Sequence, residues 1–326
     1  MNLKQTIGIF LISLTVGFGY AQEKKIKFNR GTLKICSSKN FQITGYDGNE
    51  VIIKNVSGKK ASAFYRVNGY SSGSYSYSIN GKRTNGLGQV GKLSKTKKDT
   101  AKLANIYFLN RDGNRKKGLK KLGKNADNAE LGIYFEIEEK DGELIFRDKR
   151  SNYNQLVMVR GEKYEVKIPN SIKLNWTTEE CGNKPNRNNN YVFFTSDAST
   201  LSNFSGEVEL ITSMHNIKFV DVTGPVSVNS LGGNFTVEFD KKRPTKLYSI
   251  YSNNGFIDMT LPKNSSLSVD ATGKSVYSDL DFKVLSEKEI NDFGHTMQQM
   301  KLKLNSGSVK MKLDAGYGNV YLREKQ

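Results

Sequence analysis

Apolar and polar residues alternate along short stretches of the C-terminal half, and these stretches begin at a fixed spacing. Val208, Ile217, Val226 and Phe235 follow one another at nine-residue intervals, and each begins a run in which every second residue is apolar. Alternation with a period of two is typical of strands with one buried face. The pattern therefore predicts a series of short β-strands separated by turns.

Glycine punctuates these strands. The unit glycine, any residue, apolar, any residue, apolar occurs at least six times, and Leu33, Ile43 and Ile52 repeat the spacing more faintly near the N-terminus, at 10 and 9 residues. Glycine favours turns because it accepts positive φ at no steric cost. A unit this short cannot bury its apolar face alone, so its copies must stack or pair.

The predicted fold class is all-β, a β-solenoid-like stack of short strand-turn repeats. An antiparallel β meander or a sandwich is the alternative, because periodicity alone does not separate parallel from antiparallel pairing. Asp141-Gly142 is the best hairpin candidate, and Ser286 to Met300 can accommodate a short helix.

Proline marks two further connections of similar sequence. Val166 to Leu174 and Met259 to Val269 each place a proline between two alternating runs. Proline cannot donate a ladder hydrogen bond, so we expect each first strand to end there and the next to resume on a new path.

The N-terminus predicts export. Lys4 precedes an apolar stretch of 12 residues, Ile7 to Phe18, and Gly19 and Ala21 are small residues where a signal peptidase cuts. That stretch is too short to span a bilayer, so no transmembrane anchor is expected. The predicted location is the periplasm or the extracellular cell surface.

The predicted organisation has four parts. Residues 1–21 are the signal peptide, 22–57 carry N-terminal β repeats, 58–131 form a Tyr/Ser/Lys-rich basic insertion, and 132–326 carry C-terminal repeats continuous with 22–57 as one repeat domain.

Charge narrows the choice of partners. The chain has 50 Lys and Arg against 32 Asp and Glu, and Lys92 to Lys124 alone holds 12 basic residues against two acids. In a cytoplasmic protein this excess would indicate nucleic acid, but export leaves anionic glycans or the envelope surface as the available polyanions. The sequence does not predict an oligomeric state.

The basic segment is the candidate ligand site. Tyrosine beside serine and glycine supplies large contact area and adaptable hydrogen bonding, and lysines meet carboxylates or phosphates. The alternative is a solvated hairpin whose tyrosines pack on the repeat core. The candidate ligand-binding residues are Tyr75, Tyr77, Lys116, Lys117, Lys120 and Lys121.

Few residues suggest catalysis, so the chain is predicted not to be an enzyme. Two histidines cannot build a multi-histidine metal site, and no cofactor or metal is expected. Acid pairs two residues apart occur on predicted strands at Glu136/Glu138, Glu207/Glu209 and Asp279/Asp281. They are interpreted as solvent faces; an enzyme would need acids from different repeats converging in one groove.

The two cysteines, Cys36 and Cys181, predict one disulfide in an exported chain. Two free buried cysteines are the alternative.

Several segments together resemble the bacterial putative-adhesin family of β-strand-repeat proteins, whose molecular function is unknown. They are Gly45 to Ile53, Gly118 to Lys121, Asp127 to Ile133 and the repeat tail Gly318 to Arg323. The resemblance implies an exported β-solenoid-like fold and an adhesin role. The predicted function is therefore that of a non-enzymatic adhesin or envelope-binding scaffold that contacts anionic glycans through the basic aromatic segment. A carbohydrate-active β-helix enzyme and a purely structural envelope protein are the alternatives.

Overall fold

The computed structural model describes residues 23–57, 131–148, 162–178 and 197–326, apart from positions 38, 134 and 293, and the backbone of 63–67, 76–79, 82–85 and 156–160. These residues form strands, turns and bends but no helix. Among them, accordingly, no helix is long and apolar enough to cross a membrane. The all-β prediction is confirmed.

Two large mixed sheets contain most of the strands that the structure describes. We call the eleven-stranded sheet the front sheet and the ten-stranded sheet the back sheet. The back sheet consists of β1 (Glu23–Lys27), β3 (Asn40–Tyr46), β4 (Glu50–Asn55), β11 (Lys163–Pro169), β13 (Ser199–Ser202), β15 (Ile217–Val220), β17 (Phe235–Glu238), β19 (Ile257–Leu261), β21 (Ser275–Ser278) and β25 (Asn319–Glu324).

The front sheet and two small sheets account for the rest. The front sheet consists of β2 (Thr32–Cys36), β8 (Phe135–Lys140), β9 (Glu143–Asp148), β12 (Lys173–Thr177), β14 (Val208–Ser213), β16 (Val226–Leu231), β18 (Tyr248–Ser252), β20 (Leu267–Gly273), β22 (Lys283–Asp292), β23 (His295–Leu304) and β24 (Val309–Asp314). Outside both sheets, β5 (Ala63–Val67) pairs with β10 (Leu156–Arg160), and β6 (Ser76–Ile79) pairs with β7 (Lys82–Asn85).

Consecutive strands in the middle of the chain alternate between the two sheets. Val208 in β14 lies opposite Val226 in β16, 18 residues later, and the two strands are parallel. Ile217 and Phe235 are related in the same way in the back sheet. The nine-residue spacing of the sequence is thus the step from one sheet to the other. We call a front strand and the back strand that follows it a rung.

The alternate residues of both sheets point into one shared core. Val208, Val226, Phe235 and Ile257 are buried as the alternation predicts, and Val309 is partly buried against the same core. Two sheets around one core fit the sandwich alternative. Pairing is parallel between the central rungs, whereas antiparallel pairs close the stack at β8–β9 and β1–β4 at one end and at β20–β23 and β22–β23 at the other.

Both proline connections skip one position in the stack. Pro169 ends β11, which pairs with β3, but the next strand, β12, lies on the far side of β2. Pro262 follows β19, and the strands after it, β20 and β21, are separated from β18 and β19 by β24 and β25. The new path predicted after each proline is therefore confirmed. As a result, the rungs β2–β3 and β24–β25, near the two ends of the chain, are held between rungs from elsewhere.

The repeat glycines act partly through close approach of the backbone. A Cβ at Gly224 would lie 1.9 Å from the carbonyl oxygen of Gly206, and one at Gly255 would lie 1.8 Å from that of Gly233. Neither Gly224 nor Gly255 has positive φ. At these two positions, lack of space excludes a side chain, not the φ value that the sequence pattern suggested.

The predicted hairpin is confirmed. Asp141 and Gly142 have φ of 52° and 78°, as a two-residue type I′ turn requires, and they join the antiparallel strands β8 and β9.

Two local predictions are wrong. Ser286 to Met300 forms no helix but lies in the hairpin of β22 and β23, whose turn contains Gly294 at φ 80°, because the two strands extend the front sheet beyond β20. In β4, Val51 and Ile53 are buried while Ile52 is only half-buried. This strand pairs antiparallel with β1 and β11, so it does not keep the register of the repeats.

Candidate functional site

The outer face of the front sheet at its C-terminal end brings together residues that are far apart in sequence. Tyr251 of β18 lies opposite Asp314 of β24, which lies opposite Thr272 of β20. Thr272 in turn lies opposite Gln299 of β23. The inserted rung is what places these four side chains in one row.

A cleft of about 330 Å³ opens on this face. Strands β18, β24, β20, β23 and β22 and the turns after β18 and β24 all contribute to its wall. Its most polar lining residues are Tyr251, Asp270, Asp292, Lys312, Asp314 and Tyr317. Carboxylates from three different strands therefore border one cavity. Carboxylate acceptors beside phenol rings suit a hydroxyl-rich ligand such as a sugar.

Tyr317 is fixed as a hydrogen-bond donor within the cleft. Its hydroxyl donates to Oδ2 of Asp292 at 3.1 Å, and its ring centroid lies 5.0 Å from that of His295. Desolvation raises the pKa of Tyr317, and the hydrogen bond to Asp292 raises it further. The phenol therefore stays protonated well above neutral pH.

Asp270 has a carboxylate oxygen that nothing in the described part of the chain satisfies. Its Oδ1 is buried and has no hydrogen-bond partner there, although Asp270 stands opposite Lys312 on one neighbouring strand and Lys301 on the other. A buried acceptor without a donor costs free energy. A ligand that donates a hydrogen bond into the cleft would remove that cost.

Lysines cover the part of this face next to the cleft. Lys301, Lys303, Lys310 and Lys312 are exposed and alternate with buried residues on β23 and β24. On β22, Lys283 lies opposite Lys303 and Lys288 opposite Gln299, which puts both on the same face. We call these six residues the lysine face: Lys283, Lys288, Lys301, Lys303, Lys310 and Lys312.

The lysine face carries uncompensated charge. No ion pair within the described residues involves any of its six members. Like charges directly opposite each other destabilise a strand pair, and Lys283 and Lys303 are such a pair. Packing gives no reason for this cost, whereas binding of a polyanion does.

Earlier in the front sheet, a lysine is neutralised. Lys173 Nζ lies 2.9 Å from Glu207 and 3.3 Å from Glu209, and the hydrogen bond to Glu207 is the largest of the causes that raise its pKa. This acid pair is thus an ion-paired solvent face, as interpreted from the sequence.

The other two acid pairs also lie outside the cleft lining. Glu138 lies 3.7 Å from Arg147 at the opposite end of the stack. Asp279 comes after β21 instead of on a strand, and its Oδ1 accepts the N–H of Glu324 at 2.5 Å. The acids that do converge are Asp270, Asp292 and Asp314, which the search for pairs two residues apart missed.

Most of the sequence-predicted ligand residues lie outside the described residues. These are Tyr75, Lys116, Lys117, Lys120 and Lys121, and for Tyr77 only the backbone is described, in β6 opposite Thr84. The signal peptide and most of the basic insertion 58–131 also lie outside them. These assignments stay predictions.

Cys36 is buried at the end of β2, opposite Thr177 of β12. Cys181, only four residues beyond Thr177 in the chain, lies outside the described residues. The disulfide therefore stays a prediction, although the register brings the two chain segments side by side.

Comparisons with known proteins identify no family. No protein-family model matches the chain, and no curated protein does. A crystal structure of a putative cell adhesion protein from Clostridium sporogenes ATCC 15579 is similar to it at 11% sequence identity and a TM-score of 0.35. That alignment covers 93% of this chain and 99% of the other.

Proposed function

We propose that this chain is an exported, non-enzymatic β-repeat protein that serves as an adhesin-like envelope-binding scaffold. In this proposal, the outer face of the front sheet holds an anionic glycan at its C-terminal end. The observation that carries the proposal is the lysine face, six exposed lysines without ion-pair partners in the described residues.

The spacing of the lysine face suits an extended polyanion. Neighbouring strands lie about 4.8 Å apart, and residues two apart along a strand lie about 6.6 Å apart. Lysines on β24, β23 and β22 can therefore meet successive carboxylate or sulfate groups of one chain. The adjoining cleft offers aspartate and tyrosine oxygens to the hydroxyls of the same glycan.

The stack supports a scaffold role. Each central rung repeats the register of the one before it at 18 residues, which favours the solenoid-like interpretation of this part of the chain. A rigid body of this kind presents a long face without moving parts. The sequence-predicted ligand residues in the basic insertion would then add a second contact of the same charge.

Binding to immobilised anionic polysaccharides tests the proposal, with heparin and alginate as probes and neutral dextran as the reference. The test variant replaces four residues of the lysine face by glutamine: Lys301, Lys303, Lys310 and Lys312. The matched control removes the same charge from exposed residues at the other end of the stack: Lys25, Lys27, Arg30 and Lys167.

We expect the lysine-face variant to lose at least about tenfold in affinity at low salt, because each lysine near an anionic surface contributes about 1 kcal/mol. The control should keep most of the binding. Equal losses in both variants would indicate a non-specific effect of net charge, and absence of binding in the wild type would overturn the proposal.

The cleft favours one alternative, a carbohydrate-active enzyme. Asp270, Asp292 and Asp314 come from three strands and line the same cavity, and paired carboxylates cleave glycosidic bonds. Release of new reducing ends from bound polysaccharide, abolished by Asp292→Asn or Asp314→Asn, would establish this alternative. Binding without any release supports the scaffold.

A further inference from the structure

A row of aromatic side chains crosses the outer face of the back sheet, on the opposite side of the molecule from the lysine face. Tyr321 of β25 stacks against Tyr277 of β21, with ring centroids 5.4 Å apart and an interplanar angle of 12°. Phe256, just before β19, meets the edge of Tyr321 at 6.4 Å. We call these three residues the aromatic row.

The aromatic row is unusually open to solvent. Tyr277 is 53% exposed and Phe256 is 37% exposed. Because β21 is the last strand of the back sheet, one face of the Tyr277 ring packs on Tyr321 and no described strand covers the other. Exposed aromatic surface of this kind marks a binding site more often than chance placement does.

A polar frame holds the central ring in place. The guanidinium of Arg323 lies 5.4 Å from the centroid of the Tyr321 ring, and its Nε donates to Asp258 Oδ1 at 2.8 Å. The amide of Asn319 donates to the Tyr321 hydroxyl at 3.0 Å. The row is therefore rigid and bordered by both donors and acceptors.

Strand addition by a second chain is disfavoured at this edge. The backbone N–H of Val276, in the middle of β21, donates to Oε1 of Gln298 at 3.1 Å. A side chain from the β22–β23 hairpin thus occupies a donor that an added strand would need. A small ligand that stacks on the ring does not need it.

We propose that the aromatic row binds a neutral sugar unit of a polysaccharide, with the apolar face of the pyranose stacked on the free side of Tyr277. The exposed ring supplies a flat apolar surface, and Asp258 and Arg323 supply an acceptor and donors for sugar hydroxyls. This site lies on the other sheet from the lysine face and does not depend on polyanion binding. It would give the scaffold a second, salt-resistant contact.

Titration with neutral hexasaccharides tests this site, with β-linked glucan, α-linked glucan and mannan fragments as probes. The measurements are ligand-observed NMR and calorimetry at about 1 M salt, where exposed charges are screened beyond about 3 Å. We expect at least one probe to bind the wild type. Tyr277→Ala should weaken that binding about tenfold, the loss expected for an aromatic anchor.

Two controls separate stacking from other causes. Tyr277→Phe keeps the ring and should stay within about twofold of the wild type. The lysine-face variant should bind neutral probes normally, so failure of the polyanion proposal and failure of this one are distinguishable. The proposal is overturned if no neutral probe binds, if Tyr277→Ala binds as well as the wild type, or if Tyr277→Ala instead abolishes self-association seen by sedimentation.

Discussion

The two ends of the stack share a topology but present different surfaces. At one end the rung β2–β3 is held between β9–β11 and β12–β13, and at the other β24–β25 is held between β18–β19 and β20–β21. The acid-base contacts differ. Arg147 lies 3.7 Å from Glu138, and Lys39 forms ion pairs with Asp148 and Glu162 at the first end, whereas the lysine face at the second end has no such partners among the described residues.

This difference separates what packing requires from what it leaves open. Inward residues at both ends must fill the same core, so both ends solve the same problem with an inserted rung and a proline connection. Outward residues contact only solvent, so they can differ without affecting the fold. A ligand site is therefore expected where outward residues carry a cost that folding does not require.

The largest expected effect tests whether the inserted rungs belong to the core as fully as the central ones. Ile43, Val226 and Val320 are at most 2% exposed and lie at one end, in the centre and at the other end. Aspartate at any of them buries an unpaired charge, so each should lower the free energy of unfolding by about 3 kcal/mol or more, or prevent folding.

Urea unfolding followed by circular dichroism measures these losses, with Thr236→Asp on the outward face of β17 as a control near zero. A loss below about 0.5 kcal/mol for Val320→Asp, the usual surface value, would show that the last rung is only peripheral.

A smaller effect tests a difference between the ends. The predicted disulfide would tie β2, in the first inserted rung, to the segment after β12, and the C-terminal end has no counterpart because the chain has only two cysteines. Cys36→Ala with Cys181→Ala should lower the free energy of unfolding by roughly 2 to 4 kcal/mol.

Intact mass checks the bond directly. Material from an exporting cell should begin at Gln22 and lack two hydrogens, and reduction should destabilise the wild type but not the double variant. Free thiols in the unreduced, denatured protein would remove the disulfide, and an intact Met1 would contradict export.

The smallest effect concerns Tyr317 in the cleft. Its pKa is raised in the folded chain, so the stabilisation that it contributes is present below its ordinary pKa of about 10 and is lost as pH rises through the folded pKa. Asp292→Asn removes the negative charge beside the phenolate and should lower the pKa of Tyr317, while desolvation keeps it above the ordinary value.

Ultraviolet difference titration against Tyr317→Phe isolates this group, and Asp279→Asn is the control away from the cleft. An unchanged titration of Tyr317 in Asp292→Asn would mean that the two side chains do not interact in solution.

Local pattern predicted much of the central stack. Val208 and Phe235 are buried because alternation places every second residue on one face, and Asp141-Gly142 forms its turn because these residues tolerate positive φ. The helix suggested for Ser286 to Met300 failed because these residues join the sheet through β20, a contact that no local pattern records.

The sequence by itself therefore determined which residues form strands, which face of the central strands is buried, and where proline interrupts the path. Only the tertiary structure decided which strands are neighbours. Backbone hydrogen bonds in a sheet are the same for any pair of strands, so nothing local tells β24 to lie between β18 and β20. That placement alone brings Tyr251, Asp270 and Asp314 to one cleft and sets the lysine face beside it.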